Sequence, residues 1–280
     1  MSSQYEVIGE TASYRVRHEP ERPQTRAVIL AAGRGRRMGA MTEDRPKCLL
    51  PVGGQTLLEH QLATLSALGV ANVTIVTGYC SDQVRERVDG RASFIENDNW
   101  ADTNSLYSFA LCRDAAMCES LLVLNGDVLA HPAIVERVLT APTSAFAYDS
   151  SSGSDEEHMK VELRGGRLHS MSKALPRPRV HGENVGILRF QGPAPRLLFQ
   201  EAESVLKRAG GKQWLAAAVQ GVAQRAPLYG LDAAKLPWRE IDFPEDLIAA
   251  GSITWPALRA HPWFPATVTS SRPTPRLRSA

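Results

Sequence analysis

Residues 27–38 decide the fold: Ala27-Val28-Ile29-Leu30-Ala31-Ala32-Gly33-Arg34-Gly35-Arg36-Arg37-Met38. The first four form an apolar run stopped by small residues and glycines, as in a buried parallel strand that feeds a tight turn. Small residues there let backbone N–H groups approach phosphate oxygens, and Arg37 is placed to cap a triphosphate. A plain strand-to-helix turn is the alternative reading of the segment taken alone. Two better-known phosphate signatures are excluded. A dinucleotide fingerprint would need glycine where Met38 stands, and an acid where the second strand runs into Thr77-Gly78. A P-loop would need Gly-Lys-Ser/Thr after the turn.

Strand and helix patterns alternate outward from this turn. Thr56 and Glu59 form a capping box, with Leu58, Leu62, Leu65 and Leu68 at helical spacing before Gly69. Strands are expected at 73–77, 93–96 and 121–124, and helices at 81–88 and 104–116. The pattern then changes. Strands at 145–148, 159–163 and 168–171 include a hairpin turned at Arg164-Gly165-Gly166-Arg167. A strand at 185–190, helices at 194–208 and 213–223, a short strand at 239–243 and a helix at 244–250 follow. Alternating β and α units with a β-hairpin insertion predict an α/β fold, an open, mostly parallel mixed sheet with helices on both faces. Ligands of such sheets sit at the carboxyl ends of the strands.

At 280 residues, 43% hydrophobic and 22% charged, the chain has ordinary globular composition, and a formal charge of +2 gives no global pull toward nucleic acid or an anionic membrane. No apolar run approaches the ~18 residues that span a bilayer. Cys48, Cys80, Cys112 and Cys118 show no metal-ligand spacing, which predicts reduced thiols and a cytoplasmic protein. Residues 1–26 are polar and aperiodic, without the apolar run of a signal peptide. From Ser252 onward five prolines, four arginines and no acid predict an irregular tail, although Trp255, Trp263 and Phe264 are of a kind that docks. The expected organisation is therefore an extension 1–26, a catalytic domain 27–251 and a tail 252–280. Every candidate catalytic group precedes Gly251, so the last 29 residues are expected to be dispensable for chemistry.

A second element follows the glycine turn: Arg45-Pro46-Lys47, then Leu49-Leu50-Pro51-Val52. Pro46 stiffens the loop and Lys47 offers a compact charge to a phosphate. The pair Leu-Ala-Ala-Gly-x-Gly-x-Arg-Met and Pro-Lys-x-Leu-Leu-Pro-Val resembles the sugar-nucleotide pyrophosphorylase superfamily, which has a Rossmann-like, nucleotide-diphospho-sugar transferase-like fold. Asn97-Asp98-Asn99-Trp100, Thr103 to Ser108, Asn125-Gly126-Asp127 and Glu240-Ile241-Asp242 narrow the resemblance to the bacterial choline-phosphate and phosphonate cytidylyltransferases. The likeness spans about residues 27–251.

The resemblance implies roles. Leu30, Ala31, Ala32, Gly33, Gly35 and Gly126 would line the nucleotide, with Asn104 and Ser105 at its base or ribose. Lys47 and Arg37 would neutralise phosphate charge, and Asp127 and Asp242 would hold Mg²⁺, which prefers hard oxygen ligands. Each aspartate alone reads as well as a helix cap. Lys160, Lys173 and Glu183 match positions near the acceptor, where solvated strand-edge charges are an equal reading. A quaternary ammonium acceptor would want an aromatic box, to which Tyr148, Trp214 and Trp238 are candidates. The implied reaction moves CMP from CTP onto a small phosphorylated or phosphonate acceptor. A sugar-1-phosphate or inositol-phosphate nucleotidyltransferase is the near alternative, and a non-catalytic nucleotide-binding regulatory domain the distant one. A homodimer stays open.

Overall fold

In the computed structural model, which describes residues 24–263 except 154, 234 and 262, the opening run is strand β1, Thr25–Leu30. A 3-10 turn, Arg36–Thr42, follows the glycines. A second one, Lys47–Leu49, leads into the small hairpin of β2, Pro51–Val52, and β3, Gln55–Thr56. Helix α1, Leu57–Ala67, starts on the expected capping box. Next come β4, Asn72–Thr77, α2, Ser81–Val88, and β5, Ser93–Glu96. Helix α3 is confined to Ser105–Ala110, and a 3-10 turn, Arg113–Met117, replaces the expected remainder. Strands β6, Ser120–Asn125, and β7, Val128–Ala130, flank the turn that carries Asp127.

Helix α4, Pro132–Thr140, lies where the sequence reading assigns nothing. Its cap is His131, whose Nδ1 accepts the Ala133 N–H, a residue outside the usual capping set. Strands β8, Ala145–Asp149, β9, Lys160–Arg164, β10, Arg167–Ser172, and β11, Gly182–Gln191, include the predicted hairpin. Helices α5, Ala194–Ala209, and α6, Ala216–Arg225, precede β12, Tyr229–Asp232, which like β2, β3 and β7 has no counterpart in the sequence reading. Strand β13, Trp238–Glu240, and helix α7, Pro244–Ala249, follow.

Among the described residues the main sheet has nine strands in the order β5-β4-β1-β6-β11-β8-β12-β10-β9. Its first four are parallel, and β11 runs antiparallel to both β6 and β8. The predicted mixed α/β sheet is present. Two buried cores cover its faces. Phe109, Phe146, Phe190, Leu198 and Val219 belong to one, and Ile29, Leu58, Leu65, Ile75 and Ile134 to the other. Because β4 lies on one side of β1 and β6 on the other, the chain reverses direction across the sheet there. A crevice opens at the carboxyl ends of those strands.

The reading of an irregular tail is corrected through Ala260. A π-helical turn, Ala250–Thr254, continues into helix α8, Trp255–Ala260. Leu247, Trp255 and Leu258 pack on a third cluster that includes Met38, Leu50, Leu57, Leu129 and Ile241. Two of those residues adjoin Arg37 and Asp242, so this tail supports the crevice from below. The composition misled because prolines at the start of a helix are harmless: Pro256 sits in the first turn of α8. Trp263 also docks, its Nε1 donating to Glu136. Phe264 and most of the 1–26 extension lie outside the described residues. No helix among the described residues is long and apolar enough to cross a membrane.

Gly53 shows how closely Trp255 is seated. Its φ is +61°, and a Cβ there would fall 2.1 Å from the Trp255 indole. Trp255→Ala is expected to lower unfolding free energy by roughly 2–4 kcal/mol, the lower part of the range for deleting a packed aromatic, because Trp255 is only half-buried. Gly53→Ala should act in the same direction. Denaturant midpoints check both, and a midpoint unchanged in Trp255→Ala would remove the supporting role given to the tail. Removing residues 252–280 is therefore expected to cost stability through the loss of Trp255 and Leu258 from this cluster.

Candidate active site

Three chain segments meet at the carboxyl ends of β1 and β6. The first is the turn 31–35, pinned at its start by Ala31 N–H to Val76 O and Tyr79 N–H to Ala32 O, and at its end by Met38 N–H and Thr42 Oγ1 donating to Gly35 O. Among the described residues, the N–H groups of Ala32, Gly33, Arg34 and Gly35 donate to no protein acceptor, which leaves them for a ligand. The second is the Lys47 turn. Gly35, at φ +78°, must lack a side chain because a Cβ would come within 2.8 Å of the Lys47 stem. The third is Asn125-Gly126-Asp127. Gly126 N–H donates to Leu30 O, and a Cβ on Gly126 would lie 2.8 Å from that same oxygen. Gln61, buried on α1, donates from Nε2 to both Asn125 O and Val128 O and so clamps the turn on either side of Asp127.

Asp127 and Asp242 are 115 residues apart in sequence yet share one ammonium group. The cause is the antiparallel pairing of β13 with β7, which sets Glu240 opposite Val128, continued by Ile241 N–H to Asp127 O. Lys47 Nζ donates to Asp127 Oδ2 at 2.8 Å and to Asp242 Oδ1 at 2.6 Å. Arg37 reaches Asp242 Oδ2 at 2.8 Å and, through its other terminal nitrogen, Glu157 Oε2 at 2.7 Å. Lys173 Nζ lies 3.0 Å from that same Glu157 oxygen and 5.3 Å from the Trp214 ring centroid.

Neither aspartate acts as a helix cap. Asp246 Oδ2 accepts from the Asp242 and Phe243 N–H groups at the start of α7, and His131 caps the helix after Asp127. The charges are strongly coupled. Burial works against the Lys47 ammonium, but attraction and hydrogen bonds from Asp127 and Asp242 outweigh it and hold Lys47 above its ordinary pKa. Burial likewise disfavours the Asp242 carboxylate, and the Lys47 charge and hydrogen bond, with Arg37 behind them, outweigh it and keep its pKa low. Glu240 is the opposite case. Burial first, then the charges of Asp127 and Asp242, push its carboxyl well above the usual range.

Oxygens of Asp127, Glu240 and Asp242 lie within 4.8 Å of one another. Asp127 Oδ1 is buried with no hydrogen-bond partner, an orphan that a cation would satisfy. Three hard carboxylates with one open oxygen suit Mg²⁺ better than a softer metal. Glu240 is a site carboxylate that the sequence motif contains but whose role its sequence position alone does not show. The signal was available: two residues apart on extended backbone, Glu240 and Asp242 share a face, while Ile241 between them is fully buried on the other.

These groups line a single cavity of about 370 Å³. Leu30, Ala31, Ala32, Gly33, Gly35, Arg37, Lys47, Asn104, Ser105, Gly126, Asp127, Asp242, Lys173 and Trp214 all line it. Asn104 does not cap α3 with its side chain, which donates to Lys212 O. Ser105 Oγ accepts the Leu215 N–H, tying α3 to the segment before α6. Lys160 and Glu183 are corrections. They are paired neighbours on β9 and β11, both buried off the cavity. Lys160 Nζ donates to Lys173 O and so supports Lys173 from behind, while Glu183 faces His158 at 3.3 Å. Tyr148 and Trp238 also stay outside the cavity, with Trp238 Nε1 donating to Asp149, and among the described residues neither joins Trp214 in an aromatic box. Asn97, Glu157 and Asn184 line the cavity without having been singled out as site residues. Asn97 donates from Nδ2 to Thr103 and Ser108, knitting together the segment 97–108.

A mixed α/β sheet with a glycine turn, a lysine and a carboxylate cluster at its switch point defines the nucleotidyltransferase class. Solved structures of that class share the fold. CTP:phosphocholine cytidylyltransferase of Streptococcus pneumoniae aligns with TM-score 0.67 at 19% identity, over 82% of this chain and 99% of that one. The inositol-1-phosphate CTP transferase of T. maritima aligns with TM-score 0.69 at 20% identity, over 85% and 95%. Residues 27–222 match the MobA-like NTP transferase domain, and the chain belongs to that family. It is 37% identical over 131 residues to CMP-5'-(3-aminopropyl)phosphonate synthase of Streptomyces rubellomurinus, covering 45% of this chain and 21% of that protein. It is 38% identical over 92 residues to choline-phosphate cytidylyltransferase of Streptococcus pneumoniae, covering 32% and 39%. Over 234 residues it is 30% identical to the bifunctional IPC transferase and DIPP synthase of Rubrobacter xylanophilus, covering 79% and 50%. The chain thus spans half or less of the length of these three relatives.

Proposed function

We propose that this chain transfers CMP from CTP to a small phosphate monoester or phosphonate, with Mg²⁺ and release of pyrophosphate. The observation that carries the reading is the convergence of Lys47, Asp127, Glu240 and Asp242 beside the unpartnered N–H groups of the glycine turn. The N–H groups and Arg37 orient the triphosphate. Lys47, now balancing two carboxylates, offsets charge that builds up on the phosphates. Asp127, Glu240 and Asp242 would hold Mg²⁺, which when bound supplies further charge neutralisation at the phosphates. The acceptor needs no strong base, because a phosphate monoester is largely ionised near neutral pH. Its oxygen attacks the α-phosphorus as pyrophosphate departs, so catalysis reduces to positioning and electrostatics.

CTP is favoured because phosphonate and choline-phosphate cytidylyltransferases recur among the relatives. An inositol-phosphate acceptor is a second reading, supported by the long match to the Rubrobacter protein and the T. maritima structure. Pyrophosphate release should be measured with each of the four NTPs against phosphocholine, 2-aminoethylphosphonate, hydroxyethylphosphonate, inositol 1-phosphate and glucose 1-phosphate. Turnover with CTP and a phosphonate or choline phosphate is the expected result. A preference for UTP or dTTP would overturn the cytidylyl assignment, and binding without turnover under every condition would favour a regulatory nucleotide-binding domain.

A further inference from the structure

The run 163–182 carries five Lys and Arg residues and no Asp or Glu. With the whole chain at +2, everything outside that run is net −3, so the positive excess is confined to one short stretch. The fold gathers it at one end of the main sheet. Strand β9 is last in the strand order, and β10 pairs with it so that Arg167 stands opposite Arg164. The 3-10 turn Arg177–Arg179 leads to His181, which lies along β9: its N–H donates to Val161 O, and the Leu163 N–H donates to its Nδ1. Glu162 sits among these groups, taking Arg179 Nε at 3.0 Å and Arg164 at 3.4 Å. The Arg179 hydrogen bond, with the charges of Arg179, His169 and Arg164 behind it, holds the Glu162 carboxyl below its ordinary range. Arg164 and Arg179 are still 67% and 48% exposed, and Arg167 and Arg177 are exposed and make no ion pair among the described residues. Lys173, in the same run, faces the cavity instead.

Charged residues often guard a sheet edge against pairing with another chain. That flank of β9 is already covered, by His181 and by Gly182 and Glu183 of β11, which pair with Val161 and Lys160. Guarding therefore does not account for four arginines. Solubility does not either, since interspersed charges of both signs serve it as well. We propose that this basic edge binds the anionic headgroups of a lipid bilayer surface, reversibly and by charge. A protein interface is centred on apolar side chains and depleted of charge, the reverse of what stands here. Nucleic acid is held by a helix in a groove or by several stacking aromatics, and this edge offers strands, a turn and one tyrosine. A headgroup layer needs only a row of like charges, each arginine near it adding about fivefold to binding. Tyr229, 36% exposed and paired with Arg167 through β12, is of the kind that rests at such a layer. None of the four arginines lines the cavity, so this surface is independent of the transferase reading.

The test sediments the full-length protein with vesicles of phosphatidylcholine, alone or with about a third phosphatidylserine, at about 0.1 M salt, where charges still act over about 10 Å. Binding to the anionic vesicles only is expected, with release at about 1 M salt. The triple variant Arg164→Gln, Arg167→Gln, Arg177→Gln should weaken that binding on the order of a hundredfold. Removing three arginines elsewhere, Arg85→Gln, Arg91→Gln and Arg113→Gln, should weaken it by about threefold at most, since they lie outside the basic run and distant charges are screened. No binding to anionic vesicles, equal binding to both kinds, or equal losses in the two triple variants overturns the proposal. So does tighter binding to duplex DNA or single-stranded RNA than to the vesicles at the same salt, which would make the edge a nucleic-acid surface. Thermal midpoints check folding. If the first triple is not folded, Arg167→Gln with Arg177→Gln, which breaks no ion pair, replaces it and should weaken binding about thirtyfold.

Discussion

Asp127→Asn should slow the chemical step by about a hundredfold or more, the loss typical of removing one electrostatic stabiliser. The fold should remain, because Lys47 keeps Asp242 as a partner and no helix start depends on Asp127. Nucleotide affinity should change little, since the N–H groups of the glycine turn are untouched. Asp242→Asn should behave similarly. The double variant should be hardly worse than either single one, because groups acting as a unit are not additive. Single-turnover rates with Mg²⁺, compared at matched folding stability, make the measurement. Near-normal turnover in Asp127→Asn would remove the central claim about this site.

Lys47→Met carries the second large effect, and it reads out in stability as well as turnover. Removing one member of a buried charge cluster leaves the others uncompensated. With Asp127 and Asp242 about a fifth to a quarter exposed, the loss should be about 2–3 kcal/mol, below the figure for a fully buried pair. Its pH dependence has a definite sign. A carboxyl whose folded pKa is depressed adds stability above its unfolded value, and that stability drains away as pH falls through the folded pKa. Lys47 is the main favourable cause of the low Asp242 value, so without it the acid unfolding transition should move to higher pH. Mg²⁺ should then raise the thermal midpoint of Lys47→Met by more than it raises that of wild type, since Asp127, Glu240 and Asp242 are left without a cation. An equal response in both proteins would mean that these acids do not hold the ion, irrespective of any activity assay.

Local sequence was a good guide wherever a feature depends on neighbours in the chain. The capping box at Thr56 and Glu59, the apolar strand before Gly33 and the hairpin at Gly165-Gly166 all appear as read. Helix α4 escaped because its cap is a histidine, although Pro132 at its first turn was a usable signal. The tail was misread for a related reason. Proline content suggests a break, but position within the helix decides whether proline breaks anything, and Pro256 lies in the first turn of α8. Lys160 and Glu183 were placed at the acceptor by likeness alone, and strand pairing turned both away from the cavity.

By itself, then, the sequence determined the α/β alternation, the capping box of α1, the hairpin turn and the glycine turn after β1. These rest on period, spacing and backbone sterics, which act over a few residues. Only the tertiary structure decided which charges meet. Pairing of β13 with β7 brings Glu240 and Asp242 to Asp127 and makes a three-acid cluster around one lysine. The folded cavity wall sets Glu157 between Arg37 and Lys173. Coulombic partnership depends on distance in space and on burial, neither of which leaves a periodic trace along the chain.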